Sequence, residues 1–162
     1  LADVIYRYGE EKYSRSIAKN IVRRRQEKPI RTTFELVDVI RASMPAKELK
    51  KGHPARKTFQ AIRIEVNGEL EKLKTALNDA FACLNPGGII AVISFHSLED
   101  RIVKDAFAEW TRGCTCPKEF PVCVCGNKPK GELLFKSKTP SEQEIKENPR
   151  ARSSRLRAFK KY

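Results

Sequence analysis

No apolar run in the 162-residue sequence approaches the ~18 residues of a membrane helix, and no signal peptide is visible. That excludes a helical span, and no membrane partner is expected. No Gly-rich turn follows a strand-like segment, which is the arrangement that holds a nucleotide or an adenosine. Nor is there a methionine at the start: the sequence begins at Leu1 and reads as a piece of something longer. Acids are scarce, with 20 Asp and Glu against 33 Lys and Arg, for a net charge of +13. Such a surplus favours an anionic partner, nucleic acid first. The plainer reading is a soluble basic protein with no such partner. Five cysteines include two close pairs. Nothing indicates export, so reduced thiols and a cytoplasmic location are expected.

One stretch organises the rest, Pro86 to Lys104. Gly87 and Gly88 mark a tight turn, and Ile89 to Ile93 run apolar without alternation. That pattern predicts a strand covered on both faces, as inside a parallel sheet. Ser97-Leu-Glu-Asp100 follows, close to a capping box, and predicts a helix from Leu98. His96 and Ser97 would then stand at the carboxyl end of a strand, where open α/β sheets bind ligands. His96, Ser97 and Asp100 form the candidate catalytic cluster. The plainer reading makes Ser97 and Asp100 a cap and His96 a packed imidazole.

Residues 1 to 66 read as a small helical unit. Leu1 to Tyr8 fits a helix closed by Gly9, and Glu10-Glu11 fit the acidic start of a second. Tyr13, Ile17 and Ile21 form its apolar stripe. Thr32-Thr-Phe-Glu35 is a capping box opening a third helix, with Leu36, Val37 and Ile40 inward. Lys47 to Gly52 is a charged connector. Residues 1–31 hold nine Lys or Arg and four acids, Arg23, Arg24 and Arg25 among them. Such a face suits phosphates, or is a solvated face with cations where the helix dipole favours them. Arg56, Lys57 and Arg63 are further candidate phosphate donors, with Phe59 and Ile62 on the buried side. Asn67 suits a base edge or a cap beside Gly68. His53 is read as an ordinary loop histidine. From Phe59 the apolar positions Ile62, Val66, Leu70, Leu73, Leu77, Phe81 and Leu84 predict a long amphipathic helix that Gly68 divides.

Residues 67 to 162 supply two further strands, at Leu133–Lys136 and Ser154–Lys160. In the second, Leu156 and Ala158 alternate with Arg155 and Arg157, a half-exposed pattern suited to an antiparallel edge. Nothing supplies the other side of the central strand. Four strands, on the order of 100–150 residues at ~30 per unit, are therefore expected before Leu1. Arg150 and Arg152 follow the Asn148-Pro149 turn and suit bidentate phosphate contacts or simple edge protection. Cys114, Cys116, Cys123 and Cys125 are arranged C-x-C-x6-C-x-C. They could satisfy a structural tetrahedral zinc, remain free thiols or form reversible disulfides. Cys83 and Trp110 are read as packing residues.

Three stretches resemble one known family: ISFHSLEDRIVK at 93–104, HPARKTFQAIRIEVN at 53–67 and ENPRARSSRLR at 147–157. They are similar to the bacterial 16S rRNA cytosine-N4 methyltransferases, the RsmH (MraW) family. The resemblance implies an S-adenosylmethionine-dependent enzyme of α/β class. This chain would be the C-terminal part of a Rossmann-like class I methyltransferase sheet plus a small all-helical insertion subdomain. Residues 1–66 would be the RNA-facing insertion. Residues 67–162 would be the rest of the methyltransferase domain, with a Cys-rich loop at 113–126. The implied partner is 16S rRNA in the small ribosomal subunit, and a homodimer stays open. The S-adenosylmethionine motifs would precede Leu1, so the fragment alone is expected to be inactive. A function of another class also fits: a stand-alone, non-catalytic basic RNA-binding module.

Overall fold

The computed structural model of the chain describes residues 1–50, 52–117 and 120–162. Lys51, in the charged connector, and Lys118 and Glu119, in the Cys-rich loop, lie outside the described residues. The chain divides into two compact units, Leu1–Glu69 and Leu70–Tyr162.

The first unit is helical: α1 (Ala2–Gly9), α2 (Ser14–Glu27), α3 (Thr33–Ala42), α4 (Ala46–Leu49) and α5 (Arg56–Asn67). Ile5, Ile17, Ala18, Ile21, Ile40 and Ala55 form its core, flanked by Tyr13, Leu36, Val37 and Phe59. The predicted stripe of α2 thus faces inward. The predicted box of α3 is also present. Thr32 Oγ1 accepts from the Glu35 N–H at 3.2 Å, and Glu35 accepts from the Thr32 N–H at 3.0 Å.

Three local readings change. Gly9 does not stop α1, which runs through it and ends on Glu10 at φ 49°. Gly9 is there for contact: a Cβ on it would lie 2.6 Å from the Lys57 carbonyl oxygen of α5. The second helix opens at Ser14, because buried Glu11 turns back to accept from the Tyr13 N–H at 3.0 Å. On α5 the buried positions are Thr58, Ala61 and Ile64, whereas Phe59 and Ile62 are half-buried and Val66 is exposed. Where Gly9 of α1 approaches α5, the side chain it meets is the small Ala61, and the stripe through Phe59 and Ile62 stands to one side.

Gly68, at φ 61°, separates α5 from α6 (Glu69–Cys83), as the sequence predicts. The second unit contains most of α6, then β1 (Ile89–Ser94), α7 (Ser97–Thr111), β2 (Gly131–Lys138), α8 (Glu142–Glu147), a 3-10 turn at Pro149–Ser153, and β3 (Arg155–Lys161). Its antiparallel sheet has the order β1-β3-β2. Helix and strand together give the expected α/β class, and both late strands lie on one side of β1. Two expectations are corrected. The strand β1 is covered on one face only: Ile90 and Val92 join the core, while Ile89 and Ile93 are 55% and 59% exposed. And β3 is central among the described strands rather than an edge, which buries Arg157, Ala158 and Phe159.

The core of this unit is Leu77, Val103, Phe107, Trp110 and Phe159, with Leu73 and Phe81 against it. Trp110 stacks on Phe81 with ring centroids 4.2 Å apart, a packing role as read from the sequence. Cys83 is exposed rather than core, because it sits past the last inward turn of α6. Among the described residues, no helix is long and apolar enough to cross a membrane.

Candidate nucleic-acid interface

The candidate catalytic residues stand where β1 passes into α7. The box that starts this helix is shifted by one residue from the predicted one. His96 is the N-cap: its Nδ1 accepts from the Glu99 N–H at 3.4 Å. Glu99 reaches back and accepts from the N–H groups of Phe95 at 2.8 Å and His96 at 3.2 Å. An imidazole that accepts at Nδ1 carries its proton on Nε2. That Nε2 is buried and 3.2 Å from Glu99 Oε1, but poorly aligned with it and without a hydrogen bond. Ser97 therefore occupies the first helical position instead of capping.

Asp100 is released from capping as well, and pairs with Arg157 across 57 residues of sequence. Arg157 donates from Nε at 2.7 Å and Nη2 at 3.0 Å, one bond to each carboxylate oxygen. Its Nη1 donates to the Lys136 carbonyl of β2. The guanidinium holds the Asp100 carboxyl below the ordinary carboxylate range, against the opposing effect of burial. The pair ties α7 to both later strands. Its geometry engages Asp100 in position-holding, so any further hydrogen-bond donor would have to compete with a bidentate arginine for it.

Beside this pair lies a cleft of about 570 Å³ between α7 and the strands. Ser97 and Asp100 line it together with Arg101, Lys104, Lys136, Arg155 and Arg157. Five cations face one carboxylate. Arg101, Lys104 and Lys136 were not among the candidates read from the sequence, and Arg155 was noted only as part of an arginine-rich strand. A faint signal existed: Arg101 and Lys104 are three apart on one helix face. The convergence of β2 and β3 onto that face is tertiary and carried no local mark.

The other candidates are distributed more locally. Arg23 and Arg24 line a shallow pocket of about 310 Å³, shared with Glu27, Glu35 and Asp38, so acids offset them. Arg25 is exposed beside Ile21, Pro29 and Ile30. Lys57 donates to the Glu10 carbonyl at 3.0 Å, fixing the end of α1, and Arg56 is exposed. Glu69 gathers two candidates. Arg63 donates to it at 2.9 and 3.0 Å, and Asn67 Nδ2 donates to Oε1 at 2.9 Å. That is the geometry of a cap at the α5–α6 break. Arg150 and Arg152 are exposed on the 3-10 turn. The four loop cysteines converge, with all Sγ atoms within 4.8 Å of one another, and could hold a metal ion.

Comparison with known proteins gives this geometry a context. The model of the MraW methylase family matches residues 1–162. The chain is 53% identical to the ribosomal RNA small subunit methyltransferase H of Heliobacterium modesticaldum, over 99% of this chain and 52% of that protein. The proteins of the same name from Brevibacillus brevis and Symbiobacterium thermophilum are 50% and 53% identical, over 99% of this chain and 52% and 51% of theirs. The chain thus spans about half the length of the curated relatives it matches. Matched along its whole length, with α7 and the arginine-bearing β3 inside the matching region, the chain belongs to the MraW methylase family.

Proposed function

We propose that the chain forms the rRNA-facing half of an S-adenosylmethionine-dependent enzyme that methylates N4 of a cytidine in 16S rRNA. The observation that carries this reading is the cation-lined cleft at the carboxyl end of β1, in a member of a methyltransferase family. S-adenosylmethionine would bring an electrophilic methyl sulfonium. The described residues do not fit it: no Gly-rich turn follows a strand, and a cleft with five cations repels a sulfonium. No residue of this chain is assigned to the cofactor. Ile89, Ile93 and Phe95, more than half exposed on one face of β1, would be covered by a further layer of the whole enzyme, and its sheet would continue at the edge of β1 away from β3.

The tasks left to this chain are binding and orientation. The exocyclic amine of cytosine is a poor nucleophile, because its lone pair is delocalised into the ring. Much of its activation must come from being held in line with the methyl donor. The base must also leave its stack, which needs the flanking backbone gripped. Lys104, Lys136 and Arg155 are exposed cations suited to those phosphates. The Asp100–Arg157 pair keeps their supporting elements in register, and the His96 cap holds the turn between β1 and α7. The Arg23–Arg25 run, Arg56 and the Arg150-Arg152 turn would add further phosphate contacts.

A chimera tests the reading. This chain replaces the matching half of the Heliobacterium relative, and methyl transfer to small ribosomal subunits is measured. Transfer is expected, with KM for the subunit raised about tenfold or more when Lys104, Lys136 and Arg155 are replaced by Gln, because each phosphate contact adds affinity. A folded chimera without transfer would contradict the proposed enzyme and favour a non-catalytic RNA-binding module.

A further inference from the structure

We propose that Cys114, Cys116, Cys123 and Cys125 bind one Zn²⁺ in a closed, all-thiolate site that staples the segment between α7 and β2. The inference stands independently of the methyl-transfer reading.

The geometry comes first. Cys123 Sγ lies 3.5 Å from Cys125 Sγ, which lies 3.7 Å from Cys114 Sγ. Sulfurs placed about 2.3 Å from a tetrahedral zinc are separated by about 3.8 Å. All four Sγ atoms lie within 4.8 Å of one another, so small side-chain adjustments bring every sulfur onto one ion. Two C-x-C pairs approach from opposite ends of the segment, and each supplies one edge of the tetrahedron.

Backbone donors point at the same sulfurs. The Thr115 N–H donates to Cys125 Sγ at 3.3 Å, the Cys116 N–H to Cys114 Sγ at 3.4 Å, and the Val124 N–H to Cys116 Sγ at 3.3 Å. Donors of this kind offset thiolate charge and orient metal ligands. Two disulfides would make far less use of them, because a disulfide sulfur is a weak acceptor. Four thiolates around a divalent ion leave a charge of −2. Arg112, Lys128 and Lys130 stand close by in sequence to balance it.

The segment also needs such a staple. Its ends are pinned: the Lys130 N–H donates to the Trp110 carbonyl at 2.8 Å, and Tyr162 donates to the Lys130 carbonyl at 3.1 Å. Between them there is no regular secondary structure among the described residues, and Phe120, Val122 and Val124 are 52%, 69% and 73% exposed. Among the described residues no core holds the middle, and in such a segment a metal supplies the folding free energy directly. Four soft tetrahedral ligands select zinc or iron over harder cations. With all four positions filled by protein, the ion has no place for a reactive water, so its role is structural.

The test uses the chain purified under reducing conditions and loaded with Zn²⁺, followed by removal of loose metal and elemental analysis. About one zinc per chain is expected, as for other structural sites. Co²⁺ in its place should give the charge-transfer and ligand-field absorption of tetrahedral thiolate coordination. Cys114→Ser and Cys123→Ser should each lose the metal at a chelator concentration that leaves the wild type loaded. Cys83→Ser, outside the cluster, should keep it. Chelation should expose residues 112–130 to protease while the helical signal stays unchanged. A folded wild-type chain that takes up no zinc when reduced would overturn the proposal. So would full zinc retention by both cluster variants, or intact-mass evidence of two disulfides persisting in reductant.

Discussion

Asp100 shows what one residue can disclose and what it cannot. Its place three positions after Ser97 suggests a cap, but the structure gives the cap to His96 and pairs Asp100 with Arg157 instead. Arg157, for its part, occupies what reads as an outward position of an alternating strand. Neither role was legible, because the pair is made across 57 residues and neither neighbourhood carries its mark. The ion pair has a measurable consequence. Arg157 depresses the Asp100 pKa in the folded chain, so the unfolded chain takes up that proton at higher pH. The stabilisation is full above the ordinary aspartate value of about 3.9. It is lost as pH falls through the lower folded-state value. Asp100→Asn is expected to lower stability at neutral pH by about 2 kcal/mol, the scale of a charged hydrogen bond left without its partner. It should also flatten the loss of stability in acid. Glu35, depressed by the Arg31 and Thr32 N–H groups, still contributes to that slope. Urea midpoints at stepwise pH measure both effects. An unchanged midpoint and slope would remove the pair from the account.

Elements were legible where the signal is local and failed where a neighbour decides. The Thr32–Glu35 box, the Ile17–Ile21 stripe, the break at Gly68 and the two late strands follow from caps, periodicity and glycine conformation. The buried face of α5 does not. Periodicity marks the side rich in bulky apolar groups, whereas the turn that Gly9 approaches most closely must be small, as Ala61 is. Gly9 is the other half of that contact. Gly9→Ala puts a methyl group 2.6 Å from the Lys57 carbonyl oxygen, and backbone must shift to receive it. The expected cost is about 1–3 kcal/mol, the range for overpacking, outweighing the gain in helix propensity from alanine. Thermal unfolding followed by circular dichroism checks it. A variant as stable as the wild type would mean that α1 and α5 are looser than the structure shows. The one-sided burial of β1 and the central place of β3 were hidden for the same reason: each depends on strands far away in sequence.

At the scale of the whole molecule, the surplus charge indicates an anionic partner, but only the fold shows which cations converge. The resemblance at 53–67, 93–104 and 147–157 already placed the chain in its family, and the match over residues 1–162 agrees. The candidate interface was only partly legible. Ser97 and Asp100 do line a cleft, yet three of its cations went unread because they lie on two elements joined only by folding. Of the arginine run of α2, conspicuous in sequence, Arg23 and Arg24 sit beside Glu27, Glu35 and Asp38. The most direct test is the affinity of the chain for a fragment of small-subunit rRNA at several salt concentrations. Wild type is compared with a Lys104→Gln, Lys136→Gln, Arg155→Gln variant and with an Arg23→Gln, Arg24→Gln, Arg25→Gln variant. Each lost phosphate contact removes roughly 0.7–0.9 from the slope of log affinity against log salt. The cleft variant is expected to flatten that slope by about two units, and the α2 variant by less, with helical content unchanged in both. A cleft variant that keeps the wild-type slope would contradict the account.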